Sequence, residues 1–435
     1  MILVDSALKF REDTDNPIQV GLVGAGYMSL GLVNQIERYV PGMRVAAISN
    51  RSLDRAVRCY HQAGVTDVSS VADSEALERN VQSREYSVCS DPAILCNAPS
   101  IDIIVEATGT IDFAAQVVLT AAQHRKPVVL LNAEVDATIG PILKYRADQA
   151  GIVLSQSDGD QPGVIMNQYR FVKGLGLNPL VCGNIKGFLD VHKNPADMKA
   201  YAEKVDQTPK MITSFTDGTK VNLEQASVAN ATGMGVAQRG MSAYRSNDHI
   251  DDLTTFYDIE QLRATGGVVD YVVGPNPGPG IYVFAASDDD LAKKYLSYLK
   301  LGKGPLYSFY TPYHLCFFEV PNSIARVAHF HDPVMAPLGA PVVEVVAVAK
   351  QNLSAGDTLD GIGGFSAYGE CENASVCREE NLLPIGLAEG VRLKRDVRQD
   401  QAITFDDIEI PDDRLGYRLY EEQRQVFKES PQAIS

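Results

Sequence analysis

The chain has 435 residues, 45% of them hydrophobic and 22% charged, with a formal net charge of −16. That length leaves room for two or three domains, and no window approaches the run of about twenty apolar residues that a membrane span needs. The acidity argues against a nucleic-acid partner and means that an anionic substrate has to meet a local basic pocket.

The opening stretch, MILVDSALKFREDTDN, is too short and too acidic for a signal peptide and reads as a helix capping the first strand, which fits a cytoplasmic protein. The seven cysteines are scattered; Cys371 and Cys377 could pair or bind metal, but no second Cys/His pair lies nearby. Free thiols in a reducing compartment are the plainer reading.

Ile18 to Val23 reads as a buried strand running into Gly24-Ala25-Gly26 and then a helix to Tyr39. An apolar strand ending in G-x-G and opening a helix suits a dinucleotide pyrophosphate, with Tyr27 and Met28 in the first turn. Ser29 stands where the third glycine or alanine usually sits, so the motif draws its weight from context. A second strand, Arg44 to Ser49, follows and ends about twenty residues beyond the glycines, where the adenine ribose is read. There Asn50, Arg51 and Ser52 offer no carboxylate, and Arg51 can pair with a 2′-phosphate, which favours NADP while leaving NAD possible. The same three residues also suit the cap of a helix starting near Leu53.

A charged helical insertion follows from Asp73 to Cys89; then come strands at Ile101 to Gly109, ending in small residues, at Pro127 to Leu131 and at Ile152 to Ser155, with helices at Ile111 to His124 and Gly140 to Ala150. Strand–helix alternation of this kind predicts a parallel sheet with right-handed crossovers, a Rossmann-type α/β domain over residues 1–160. The strand ends put Ala107, Thr108 and Gly109, Asn132 and Glu134 on the nicotinamide side. Asp158 and Asp160, in a Ser-Asp-Gly-Asp turn, either orient substrate or only shape the turn.

Residues 161–342 read as an α+β substrate and dimerisation domain, with strands at Pro179 to Lys186, Gly280 to Ala286 and Leu315 to Val320 and a helix at Leu223 to Thr232. The cleft beside the cofactor domain is the default binding site. Its densest polar run is Asp217 to Glu224: a helix starting near Lys220 puts Lys220 and Glu224 four apart on one face, with Asp217 at the cap and Asn222 between. Lys220 beside Asp217 can protonate a carbonyl oxygen; a capped helix with an ordinary ion pair explains the spacing equally well. Lys186 closes a strand, and His192 and Lys193 follow on a loop where they can hold an anionic group. No carboxylate cluster has metal-ligand spacing, so no metal is expected. His314 reads as a structural histidine.

Residues 343–415 read as short strands and turns, and Leu353 to Leu359 is echoed by Val397 to Ile403, which predicts two units folded on each other in a small β module. The tail, 416–435, reads as a surface helix.

On these residues the chain resembles a known family. VGLVGAGYM, IVEATGT and VVLLNAEVD look like a homoserine-dehydrogenase-type Rossmann domain, and AKQNLSAGDTLDGIGG with LPIGLAEGVRLKRDVRQDQAITFDDIEI looks like a SAF (β-clip) domain. With SQSDGDQPG, SFTDGTKVNLEQASVANATG and YHLCFFEVPNSIARVA, nearly the whole chain is similar to homoserine-dehydrogenase-like proteins ending in a SAF domain, which include the 1-deoxy-D-xylulose 5-phosphate reductoisomerase-like enzymes of isoprenoid biosynthesis. The resemblance implies an NADPH-linked oxidoreductase, a homodimer, with the catalytic lysine and carboxylate at Lys220 and Asp217 and Lys186 in support. Homoserine dehydrogenases carry Thr-Ala-Asn-Lys where this chain has Leu131-Asn132-Ala133-Glu134, which speaks against homoserine as substrate. A homoserine or polyol dehydrogenase and an inactive nucleotide-sensing protein are the alternatives.

Overall fold

A computed structural model describes residues 4–411 and 413–428. The chain divides into two compact units, residues 1–163 with 315–336 and residues 164–314 with 337–435.

The first unit carries a seven-stranded, wholly parallel sheet: β1 (Ile18–Val23), β2 (Met43–Ser49), β3 (Val68–Ser70), β4 (Tyr86–Cys89), β5 (Ile103–Glu106), β6 (Val128–Leu130) and β7 (Leu154–Gln156) in the order β3-β4-β2-β1-β5-β6-β7. Helices α1 (Asp5–Asp13), α2 (Tyr27–Tyr39), α3 (Leu53–Ala63), α4 (Ser74–Gln82), α5 (Pro92–Asn97), α6 (Asp112–Gln123) and α7 (Ala133–Ala150) fill the connections. This is the expected Rossmann-type architecture. β1 and β2 are apolar along nearly their whole length because a parallel sheet is covered on both faces. The charged insertion resolves into α4 plus a strand: Asp73 caps α4 through Ala76 N–H at 2.7 Å, and β4 inserts beside β2. α7 starts earlier than expected, bending at Ile139 (φ −137°) two residues ahead of Pro141; its second half is the helix foreseen from Gly140.

The expected strand over Leu315 to Val320 is a correction. Cys316–Phe318 forms a 3-10 turn and Val320–Ala325 a short helix with Pro321 in its first turn. The whole segment returns to the first unit, so the anticipated block 161–342 is not one piece.

The boundary between the units falls inside helix α8 (Gln161–Gly174). The second unit holds a mixed five-stranded sheet in the order β12-β11-β8-β10-β9, from β8 (Asn178–Lys186), β9 (Tyr244–Arg245), β10 (Val268–Val273), β11 (Gly280–Ala286) and β12 (Leu306–Thr311). One core packs Leu180, Val268, Tyr282 and Phe284 of the sheet against Ile250, Leu253 and Leu262. Helices α9 (Pro195–Lys204), α10 (Pro209–Thr216) and α11 (Thr219–Thr232) precede β9; α12 (Ile259–Thr265) and α13 (Asp290–Tyr298) follow it. α11 is buried on nearly every side, which an amphipathic helix would not be, because it lies between this sheet and the terminal module.

That module pairs β13 (Val343–Ala349) with β14 (Ala367–Asn373) and β15 (Arg392–Leu393) with β16 (Ile408–Glu409). It packs in the same compact unit as the second sheet. The helix Leu415–Val426 is docked, with Tyr417, Leu419 and Tyr420 buried; the rest of the expected 416–435 tail lies outside the described residues from 429 on. Among the described residues no helix is long and apolar enough to cross a membrane.

Candidate functional site

In the first unit the site is the carboxyl end of the sheet, where the strand order reverses on either side of β1. Gly24 sits at φ +109°, and a Cβ there would lie 2.8 Å from the Ala107 carbonyl oxygen, so the turn requires glycine. Gly26 caps α2 without a side-chain bond, and a Cβ on it would meet nothing within 4 Å. Open space before Gly26, faced by first-turn N–H groups of Tyr27 and Met28 beyond the reach of helical carbonyls, is a cradle that fits a dinucleotide pyrophosphate. α2 has no acidic residue in its first turn to repel one. Ser29 is buried, and the close packing usually given to the third glycine is met by Gly31 under the ring of Phe317.

At the end of β2 the Asn50 amide donates to the Ser52 carbonyl at 2.8 Å, so Asn50 shapes the turn, and Ser52 is the N-cap of α3 without using its side chain. Arg51 is exposed with no ion-pair partner among the described residues, a placement suited to a 2′-phosphate.

The end of β5 holds a residue that sequence reasoning missed. Glu106 is fully buried, and its carboxylate accepts the Thr108 N–H (2.8 Å), the Thr108 hydroxyl and the Asn132 amide (2.9 Å). Burial pushes its pKa up, opposed by those donors. A charged residue closing an otherwise apolar strand was the available signal. Asn132 corrects an expectation: one amide hydrogen goes to Glu106, the other to the Thr110 carbonyl (2.9 Å), and its oxygen caps α7 at Val135 N–H (3.1 Å). It therefore holds the 107–110 loop instead of offering a donor to a cofactor. Ala107 and Thr108 are half-buried and Gly109 exposed at that strand end; Glu134 is buried in the first turn of α7.

After β7, Asp158 is buried, its N–H bonded to the Ser323 hydroxyl at 2.6 Å and its carboxylate to the Gly159 N–H at 2.8 Å. Asp160 accepts the Gln161 N–H at 3.0 Å. The loop is clamped from the other side by Cys316 N–H on the Gly159 carbonyl at 2.6 Å.

In the second unit, Asn184 and Lys186 stand two apart on β8 and so share one face. The buried Glu224 of α11 accepts the Asn184 amide at 2.8 Å and faces the Lys186 ammonium at 3.5 Å, while Gln225 donates to the Asn184 oxygen at 3.1 Å. The side-chain Oε1 of Gln225 is buried with no hydrogen-bond partner among the described residues. Lys220, half-buried, lies one turn before Glu224. A polar Asn in the middle of an apolar strand was the signal for Asn184.

Other expected residues go elsewhere. Asp217 is fully buried and bonded to Lys350 of the terminal module at 2.8 Å and to Thr219 N–H at 2.9 Å, so both of its oxygens are engaged at the start of α11. Asn222 is buried against β14, its oxygen accepting Cys371 N–H at 2.7 Å, and is no substrate ligand. His192 Nε2 lies 2.8 Å from Asp400, and Lys193 faces Asp190 at 3.9 Å, so each of the two residues has a carboxylate beside it. Cys371 donates to the Asn222 carbonyl at 3.0 Å.

Comparison with known proteins bears on the second unit first. Residues 159–320 match the family described as oxidoreductase DRL, catalytic domain, and residues 344–409 match the SAF domain. Among solved structures, a probable dehydrogenase from Thermotoga maritima is 13% identical over 74% of this chain and 90% of its own, with a TM-score of 0.41. The scyllo-inositol dehydrogenase of Lactobacillus casei, solved with NAD(H) and scyllo-inositol, is 11% identical over 74% and 92%, TM-score 0.41. KijD10, a 3-ketoreductase from Actinomadura kijaniata solved with NADP, is 13% identical over 73% and 91%, TM-score 0.37. No curated protein matches. The chain thus carries an oxidoreductase catalytic domain followed by a SAF domain.

Proposed function

We propose that this NAD(P)-dependent oxidoreductase uses NADPH to reduce a small, phosphorylated hydroxycarbonyl compound, in the manner of the 1-deoxy-D-xylulose 5-phosphate reductoisomerase-like enzymes. The observation that carries the reading is the Asn184–Lys186–Glu224 cluster, which lies inside the stretch matching the oxidoreductase catalytic domain. Gly24 to Met28 would hold the pyrophosphate, Arg51 the 2′-phosphate, and the 107–110 loop braced by Glu106 and Asn132 the nicotinamide end. The cofactor, when bound, supplies the hydride.

Lys220 gives its proton to the carbonyl oxygen as the carbon is reduced, and Glu224, one turn further along α11 and 3.5 Å from Lys186, takes the carboxylate role first assigned to Asp217. Lys186, on the face of β8 that Glu224 packs against, binds the anionic end of the substrate. The chain works as a cytoplasmic homodimer, a state that light scattering on the purified protein would check.

The test is NADPH oxidation with deoxyxylulose phosphate, aspartate semialdehyde and a panel of ketoses. Turnover of the phosphorylated ketose supports the reading. Turnover of semialdehyde or an unphosphorylated ketose transfers it to a homoserine or polyol dehydrogenase, and tight NADPH binding with no turnover to a sensing protein.

A further inference from the structure

Helix α11 is gripped by the terminal module along one stripe. The Thr219 hydroxyl accepts Gly369 N–H at 2.9 Å, the Asn222 oxygen accepts Cys371 N–H at 2.7 Å, and the Asn230 oxygen accepts Val342 and Val343 N–H at 2.7 and 3.1 Å. Successive helical residues turn by about 100°, which puts 219, 222, 226 and 230 on one face and 220, 224 and 227 on another. Chemistry and anchorage thus occupy separate faces of a single helix.

At the helix start the grip is ionic. Lys350 follows β13 and is buried; its ammonium donates to Asp217 at 2.8 Å and to the Gly364 carbonyl at 2.7 Å. The other oxygen of Asp217 accepts Thr219 N–H at 2.9 Å. Gly218 caps α11 at φ +84° with no side-chain bond, so Asp217 supplies the first-turn acceptor that the cap lacks. A buried ion pair is weak evidence for stability, since apolar residues of like volume often serve as well, whereas it does fix a geometry.

We infer that Lys350 is a positioning residue: through Asp217 it fixes the first turn of α11, and with it Lys220 and Glu224, so that the SAF module braces the reacting centre. This rests on the reading of Lys220 and Glu224 given above.

The test uses the full chain with K350R and the double variant K350M/D217L. Lysine reactivity toward acetic anhydride is read by mass spectrometry across pH, with the exposed Lys199 as internal reference. The expected result is a K350M/D217L protein with near-native melting in which the labelling rate of Lys220 relative to Lys199 changes by at least about fivefold, while K350R stays close to wild type. A folded double variant with unchanged Lys220 labelling and pH profile overturns the inference. If the double variant does not fold, D217N, which keeps the shape and an acceptor for Thr219, is read the same way and decides. Failure of the two readings is distinguishable. A chain that reduces none of the carbonyl compounds but whose Lys220 responds loses the function and keeps the brace; an active chain with unresponsive Lys220 loses the brace alone.

Discussion

The ring of Phe317 lies against the backbone of Gly31, so that a Cβ on residue 31 would stand 2.6 Å from the ring. The nearby Gly26 is the opposite case, with nothing within 4 Å of the same position. Gly31→Ala is therefore expected to destabilise by about 1–3 kcal/mol through overpacking. Gly26→Ala should leave the melting temperature unchanged and weaken NADPH binding by tenfold or more, on the order of one misplaced contact at a phosphate. Calorimetric melting and a fluorescence titration with NADPH on both variants check the pair; equal effects of the two glycines would refute the cradle.

Arg51 should set the choice of cofactor. Arg51→Glu removes the cation and offers a carboxylate to a ribose hydroxyl, so the NADPH-to-NADH ratio of affinities should fall by about tenfold or more. Both affinities measured on both proteins decide it, and an unchanged ratio means the 2′ position is read elsewhere.

Lys220→Ala should cost more than about a hundredfold in kcat if the ammonium is the proton donor. Lys186→Ala should raise KM for an anionic substrate, whereas Glu224→Gln keeps an acceptor for Asn184 and removes a negative charge beside Lys186, so it should not. Steady-state kinetics on the three variants separate these roles.

How far these residues were legible from sequence depended on what each one touches. β1, β2, β5 and β6 announce themselves as apolar runs because both faces of a parallel sheet are covered. β3 is three half-exposed residues and β4 four, too short for any periodicity. Leu315 to Val320 has the composition of a strand, yet Cys316 adopts φ +44° and Pro321 opens a helix. That Lys220 and Glu224 lie one turn apart on a helix was legible because helical spacing is local. The partner of Asp217 was not, because Lys350 lies 133 residues further on and nothing near Asp217 encodes it. Likewise Asn222 looked like a site residue, though its oxygen is used by a strand 149 residues away.

A buried carboxylate in the terminal module gives a pH signature. Glu344 is buried and accepts the Tyr420 hydroxyl at 2.8 Å; burial raises its pKa above 4.5, outweighing that donor and the nearby Arg378 and Arg424. With the folded pKa above the unfolded one, the native state holds the proton longer, so Glu344 contributes most below about pH 4.5 and that stability is lost as pH rises through the folded value. Glu344→Gln mimics the protonated acid. The melting temperature of the variant minus that of wild type should grow as pH is raised from about 4.5 and then level off; a difference that is flat or shrinks over that window contradicts the shift.

The last prediction concerns the internal echo of the terminal module. Leu353 and Val397, the first residues of the two similar stretches, exchange both backbone hydrogen bonds at 2.9 Å each way. The bond pair joins the two halves directly: Val348 bridges Ala402 further along, and Thr358 bridges Arg392 on the other side. Leu353→Pro removes one donor and strands the Val397 carbonyl, a loss of roughly 1–3 kcal/mol for an unmet buried acceptor. Leu353→Val keeps the backbone bond and trims a buried side chain, and should cost less. Because the module grips α11 through β14, unfolding of the proline variant should also release hydrogen-exchange protection at Gly369 and Cys371, whose N–H groups bond to Thr219 and Asn222. Protection at those amides that survives in the proline variant would show that the two halves of the module hold α11 independently of each other.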